Sequence, residues 1–229
     1  MRAADDAMLP FSKGEKQMRT GAISRLAGIA VMLAALLVLT ACWVESINGL
    51  AETGRSEKDL DVVVDQRLTG SWNMSAADDD KCSKTLVTIA FKDEIYEVKW
   101  SALQGCNDKD QSFQARLVRL DTYYFFDVFA AQHDVCDTCL AKHQIFQLKF
   151  EGDGFSLTPI DSDWLKASVA AKTIKLATMP DNPELITAPT SELKAFCRRF
   201  AADKTAFRSD AKSMFKRAAM QQPASGGLQ

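Results

Sequence analysis

Two short runs leave this chain few ways to fold. Val87, Ile89 and Phe91 alternate with small or polar residues, and so do Tyr96, Val98 and Trp100. A period of two predicts half-buried strands. A two-residue turn at Asp93-Glu94 sets Val87 opposite Trp100, Ile89 opposite Val98 and Phe91 opposite Tyr96. All three pairs then share one face, with Glu97 and Lys99 on the other. A slip of one residue would send every apolar side chain to water.

The same period recurs from Asp61 to Ile160. Val62-Val63-Val64 precede Leu68 and Trp72, and further runs carry Phe113, Ala115 and Leu117, then Phe146, Leu148 and Phe150. Tyr123 to Phe129 is nearly all apolar and predicts a strand buried on both faces. Glu151 to Gly154 is a turn by composition, and Phe155 and Leu157 follow it. Six or seven antiparallel strands at this spacing predict a mainly β fold, a small antiparallel barrel or sandwich. Trp72, Trp100 and Trp164 are read as core.

The C-terminal part changes period. Asp161 or Ser162 caps a helix carrying Trp164, Leu165, Ser168 and Val169. Thr173 to Ala177 is read as one more strand, and Pro180, Pro183 and Pro189 as a loop. Thr190 or Ser191 then caps an amphipathic helix with Leu193, Phe196, Cys197 and Phe200 at i, i+3, i+4 and i+7. Phe207, Met214 and Phe215 extend the stripe through a second helix. The expected architecture is therefore a β domain with C-terminal amphipathic helices, and no internal repeat.

The N-terminal part concerns address. Arg19 and Arg25 precede an apolar run from Leu26 to Leu39, which ends in Leu39-Thr40-Ala41-Cys42. Positive start, short apolar core and small residues before a cut describe a secretory signal. The last four residues resemble the lipobox of bacterial lipoproteins. That resemblance implies cleavage before Cys42, a diacylglycerol on its sulfur and an acyl chain on its amine. An uncleaved membrane helix over Ala22 to Val44 is the alternative, since about 20 residues span a bilayer. Trp43 stands where an aspartate would favour inner-membrane retention in enteric bacteria, so the outer membrane, facing the periplasm, is expected. Met18 gives a signal of ordinary length, which makes residues 1–17 an upstream extension.

Residues 1–41 thus comprise extension and signal, and 42–60 a flexible tether. Residues 61–220 form one globular domain, and 221–229 a disordered tail. Its polar stretch from Glu45 to Leu60, about sixteen residues, reaches on the order of 20–25 Å as a coil. Residues 1–41 hold five of the 28 basic and three of the 30 acidic residues, which leaves the remainder near −4. The basic positions Lys194, Arg198, Arg199, Lys204, Arg208, Lys212, Lys216 and Arg217 are read as the wet side of the helices, or as contacts to anionic lipid headgroups. No nucleic-acid partner is expected, because basic and aromatic residues are not interleaved.

Two further resemblances concern the domain. Gly70-Ser71-Trp72 resembles the glycine-x-tryptophan of lipocalins, in which the tryptophan closes the barrel base and the cavity holds a lipid or other apolar ligand. Asp121-Thr122-Tyr123 does not reproduce that family's second motif. Asp161 to Leu165 and Leu185 to Leu193 resemble segments of a group of uncharacterised proteobacterial lipoproteins, which supports the compartment.

Five cysteines remain after Cys42, and in an oxidising envelope they are expected to pair. The hairpin register puts Cys82 opposite residue 105, so Cys82 and Cys106 are the best pair. Clamping a loop of about 25 residues stabilises by on the order of 3 kcal/mol. Cys136 and Cys139 are read as a structural disulfide, within the pair or to Cys197. The stretch His133-x-x-Cys136-x-x-Cys139-x-x-x-His143 leaves a metal site open, since two thiolates and two imidazoles suit tetrahedral zinc. A thiol redox role is also open. Asp78-Asp79-Asp80 reads as a solvated run, with a weak calcium site as the alternative. No catalytic constellation stands out and no cofactor is expected. The chain reads as a non-enzymatic lipoprotein, attached to the membrane through Cys42, that binds an apolar ligand or an envelope protein partner. The alternative is a metal- or thiol-dependent protein. The secreted chain is expected to carry two disulfides and one free thiol. Its denatured mass should rise by about four hydrogens on reduction, two per disulfide; no rise would remove the disulfide framework.

Overall fold

The hairpin at Asp93-Glu94 forms in the register that the alternation demands. Val87 pairs with Trp100, Ile89 with Val98 and Phe91 with Tyr96. Both turn residues are left-handed, with φ of 50° at Asp93 and 66° at Glu94. That turn has the twist that matches its flanking strands. The computed structural model describes residues 43–51, 60–75, 84–101, 110–130 and 141–218. They belong to one compact unit that begins at Trp43.

In chain order the strands are β1 (Glu45–Ser46), β2 (Val62–Val63), β3 (Gly70–Ser75), β4 (Lys84–Lys92), β5 (Ile95–Ser101), β6 (Gln111–Leu120), β7 (Tyr123–Ala130), β8 (His143–Glu151) and β9 (Gly154–Pro159). Then come α1 (Ser162–Ala170), β10 (Thr178–Met179), β11 (Asn182–Ile186), α2 (Thr190–Phe200) and β12 (Ser213–Arg217). Strands β3 to β9 form an antiparallel meander, and β12 pairs with both β9 and β3. Eight strands therefore close on themselves as a barrel. Closure removes the exposed edges that an open sheet would present.

Alternation sorts the side chains into two cores. Trp72, Val87, Ile89, Tyr96, Val98, Leu117, Phe126 and Phe155 fill the barrel. Strands β6, β7 and β8 also turn Val118, Leu120, Phe125 and Ile145 outward. These pack under Leu165 of α1, Leu193, Phe196 and Cys197 of α2, and Leu50 and Ile186. This second layer is why Tyr123 to Phe129 is apolar on both faces.

One end of the barrel is closed by a 3₁₀ turn at Gln66–Leu68, whose Leu68 is fully buried. The indole N–H of Trp72 donates to the Leu68 carbonyl at 2.9 Å. Arg217 lies over the Trp72 ring, 4.1 Å from its centroid. Its guanidinium donates to the carbonyls of Thr69 (2.6 Å) and Arg67 (3.0 Å). Gly70 sits under that guanidinium at φ 128°, and any Cβ there would collide with Arg217 Nη1. Tyr96 accepts from the Asp65 amide at 2.7 Å and donates to the Asp65 carbonyl at 3.2 Å. Burial raises the Tyr96 pKa, so the hydroxyl keeps its proton for that bond.

Several expectations are corrected. Residues 43–51 are not tether: Leu50 is fully buried, and β1 pairs with β8 and β11. Phe207, Met214 and Phe215 do not share a second C-terminal helix. Ser213–Arg217 is instead the strand that closes the barrel, with Phe215 inside it. Basic residues from Arg208 on therefore do not line a helix; Lys212 pairs with Glu151 at 3.0 Å and Arg217 serves the base. The expected strand over 173–177 is irregular, although Ile174 and Leu176 are buried. The proline-rich loop contains the hairpin of β10 and β11. Asp161 caps α1 as expected, accepting from the Trp164 amide at 2.6 Å. Thr190 does not cap α2; Pro189 precedes the helix, and the Thr190 hydroxyl donates to Gly49. The tail from 221 and the carboxylate run at 78–80 lie outside the described residues.

A left-handed conformation costs an ordinary residue about 1–2 kcal/mol. Glu94→Gly is therefore expected to stabilise the domain by about 1 kcal/mol, after glycine's own entropy cost. A thermal melt that fails to rise would contradict the turn geometry.

Candidate functional site

Opposite the closed base, the barrel keeps a cavity. Strands β3 and β4, β5 and β6, and β7 and β8 are joined at this end, as their registers show. About 50 Å³ is open to the centre of a water-sized sphere, several times the ~10–15 Å³ that one water needs. The walls come from every barrel strand: Met74, Val87, Trp100, Phe113, Val128, Phe146 and Leu157 among them. Phe155 and Phe215 stack 4.5 Å apart at 7° and reach the cavity from its closed half. Gln144 and Ser213 supply the polar side chains of the lining. A surface of this kind holds an apolar group and orients it by a few hydrogen bonds. Trp100, read as core from the sequence, is a cavity wall.

Trp43 enters this site because the sheet forks. Strand β9 pairs with β8 only as far as Pro159 opposite Phe146. Proline lacks an N–H and cannot extend a ladder. Past that point β1 takes the edge of β8, with Ser46 opposite His143. Trp43 then stands edge-on to Phe146, ring centroids 5.9 Å apart at 64°. It lines the cavity and is 50% exposed.

The segment carrying Trp43 is pinned by a buried carboxylate. Asp127 of β7 is fully buried on the outer face of the barrel. Its Oδ2 accepts from the Leu50 amide at 2.7 Å, and its Oδ1 from His143 Nδ1 at 2.7 Å. An ionised carboxylate can only accept, and with Asp127 in that form Nδ1 is the donor. Gly49 lies against both groups: a Cβ there would sit 2.6 Å from Asp127 Oδ2 and 2.6 Å from His143 Cε1. Asn48 donates to the Ala188 carbonyl at 3.0 Å, and Lys142 pairs with Glu45 at 2.6 Å. Cys197 is a free, buried thiol nearby. Burial, reinforced by the Asp127 charge, pushes its pKa far above the ordinary range, so it is inert as a nucleophile.

Of the residues singled out in the sequence, Cys42, Cys82, Cys106, His133, Cys136 and Cys139 lie outside the described residues. His143 is described, and one of its ring nitrogens is taken by Asp127. Among the described residues no group of three or more His, Cys, Asp or Glu could hold a metal. No helix among them is long and apolar enough to cross a membrane. The sequence reading missed Asp127 and Trp43. Asp127 did leave a signal, as the lone charge in Tyr123 to Phe129, where burial on both faces demands partners. No protein-family model, curated protein or solved structure matches the chain.

Removing one partner of a buried pair leaves the other uncompensated, at a cost of about 3–5 kcal/mol. His143→Ala is expected to destabilise the domain by about 3 kcal/mol and to open the segment around Leu50 to proteolysis. Urea unfolding at wild-type stability would show that this contact carries no weight.

Proposed function

We propose that this chain is a lipid-anchored, non-enzymatic envelope protein whose barrel binds an apolar ligand. Cys42 carries the anchor, and the outer membrane facing the periplasm is the location. The observation that carries the binding reading is the apolar cavity above a sealed barrel base. An ordinary core would fill that space, because protein interiors pack with few voids larger than water. The residue types lining it favour hydrocarbon over a charged or heavily hydroxylated ligand.

The metal- or thiol-dependent reading retains one observation. His143 donates its Nδ1–H to a buried carboxylate, an arrangement also found behind metal-ligating histidines. Its ring is only 11% exposed, and it lies on the outer face of the barrel wall, away from the cavity. A metal adduct in the native mass, lost in Cys136→Ser, would favour that reading.

The test of ligand binding is titration with a dansyl-labelled fatty acid. Val128→Trp fills the cavity from its wall and is expected to weaken binding at least about tenfold, 1.4 kcal/mol. Its melting temperature should stay near that of the parent. Equal affinity in both proteins would place the probe elsewhere and sink the cavity as the site.

A further inference from the structure

We infer that the barrel mouth is held against the bilayer and that the cavity takes one acyl chain of a membrane lipid from that surface. This rests on the anchor at Cys42 and on the ligand-binding cavity proposed above.

Trp43 directly follows Cys42, so their Cα atoms are about 3.8 Å apart. Trp43 lines the cavity. A lipid on Cys42 therefore leaves the chain within one residue of the cavity wall. No slack intervenes, because residues 43–51 are built into the fold through β1, Leu50 and Asp127. A free tether of about sixteen residues would have let the domain tumble on the order of 20–25 Å from the surface.

The surface around the mouth fits that placement. Trp43 is half exposed with one side against Phe146, and an indole with an apolar body and a polar N–H favours the headgroup level. Across the barrel, Leu86 at the mouth end of β4 is 36% exposed on the outer wall. The cavity suits a single chain: its open volume is about 50 Å³, and aromatic rings make up much of its lining. Gln144 and Ser213 can hydrogen-bond the ester or headgroup end.

The test uses the full lipidated chain in vesicles of phosphatidylethanolamine and phosphatidylglycerol doped with brominated phosphatidylcholine. Trp43 fluorescence is read as the difference between the wild type and Trp43→Phe. A second variant carries a Gly-Ser insertion of about 20 residues between Trp43 and its lipidated neighbour, which lets the mouth move on the order of 25 Å away. Bromine near the headgroup should quench Trp43 in the wild type and not in the insertion variant. Uptake of a pyrene-labelled phospholipid from the vesicles should slow about tenfold in the insertion variant, through lower effective concentration. Its affinity for free dansyl fatty acid should be unchanged. An anchored chain with unquenched Trp43, or with equal uptake in both proteins, overturns this inference alone. A chain without the diacylglycerol mass, or without fatty-acid binding, overturns the proposed function and this inference with it.

Discussion

Everything in this structure depends on β12 reaching the gap between β9 and β3. Its pairings with both neighbours turn an open meander into a barrel. Without it, β3 and β9 would each present a row of unpaired amides and carbonyls. The strand arrives late: α1, β10, β11 and α2 separate it from β9 in sequence. The barrel is therefore completed by a non-local contact, which carries a loop-closure cost before the contact returns any energy. Arg217, the last residue of β12, couples this closure to the base through two carbonyls and the Trp72 ring. Sheet closure and base sealing are thus one event. The cavity is what remains when the sealed half is filled by Leu68, Trp72 and Tyr96 and the mouth half is not.

The second core explains how one barrel can carry so many residues outside itself. A barrel strand ordinarily turns one face to the interior and one to solvent. Here β6, β7 and β8 have no solvent face over much of their length, because α1, α2 and the β1–β11 pair cover it. That cover buries a carboxylate of the barrel wall, which must be satisfied in place. Asp127 is satisfied by His143 from the neighbouring strand and by the amide of Leu50 from the N-terminal segment. One buried charge thereby fixes where residues 43–51 lie on the barrel wall. Gly49 is part of the same arrangement, since no larger residue could pass so close to both side chains.

Much of the barrel was legible because period-two alternation reports burial directly. The β4–β5 register could be read residue by residue, and so could the Asp161 cap and the Leu193, Phe196, Cys197 stripe of α2. The errors share a physical cause. Phe207, Met214 and Phe215 fall at seven- and eight-residue steps, which suit a helical face. Phe207 instead packs on Phe125 in the outer core while Phe215 stacks on Phe155 inside the barrel. Five residues of strand are too few for alternation to outweigh that spacing. Residues 43–51 have no period at all. They are held by strand pairing with β8 and β11 and by hydrogen bonds to Asp127, Ala188 and Thr190, all distant in sequence, and such contacts leave no trace in local patterning. The cavity was illegible for a related reason. A wall residue and a core residue look alike in sequence, and only the sum of volumes across eight strands separates them.

On the reading proposed above, the position of Trp43 has an energetic consequence. A membrane lipid that crosses water before entering a barrel must expose its hydrocarbon, at about 0.8 kcal/mol for each CH₂. A chain of ordinary length would make that step prohibitive. A cavity whose wall begins one residue from the anchor lets the hydrocarbon pass from one apolar phase to another with little of it wetted. The same consideration gives the docked N-terminal segment a role that a free tether could not fill. On that reading the hydrogen bonds at Asp127 serve the site as well as the fold, because they hold the segment that carries Trp43 at the cavity wall.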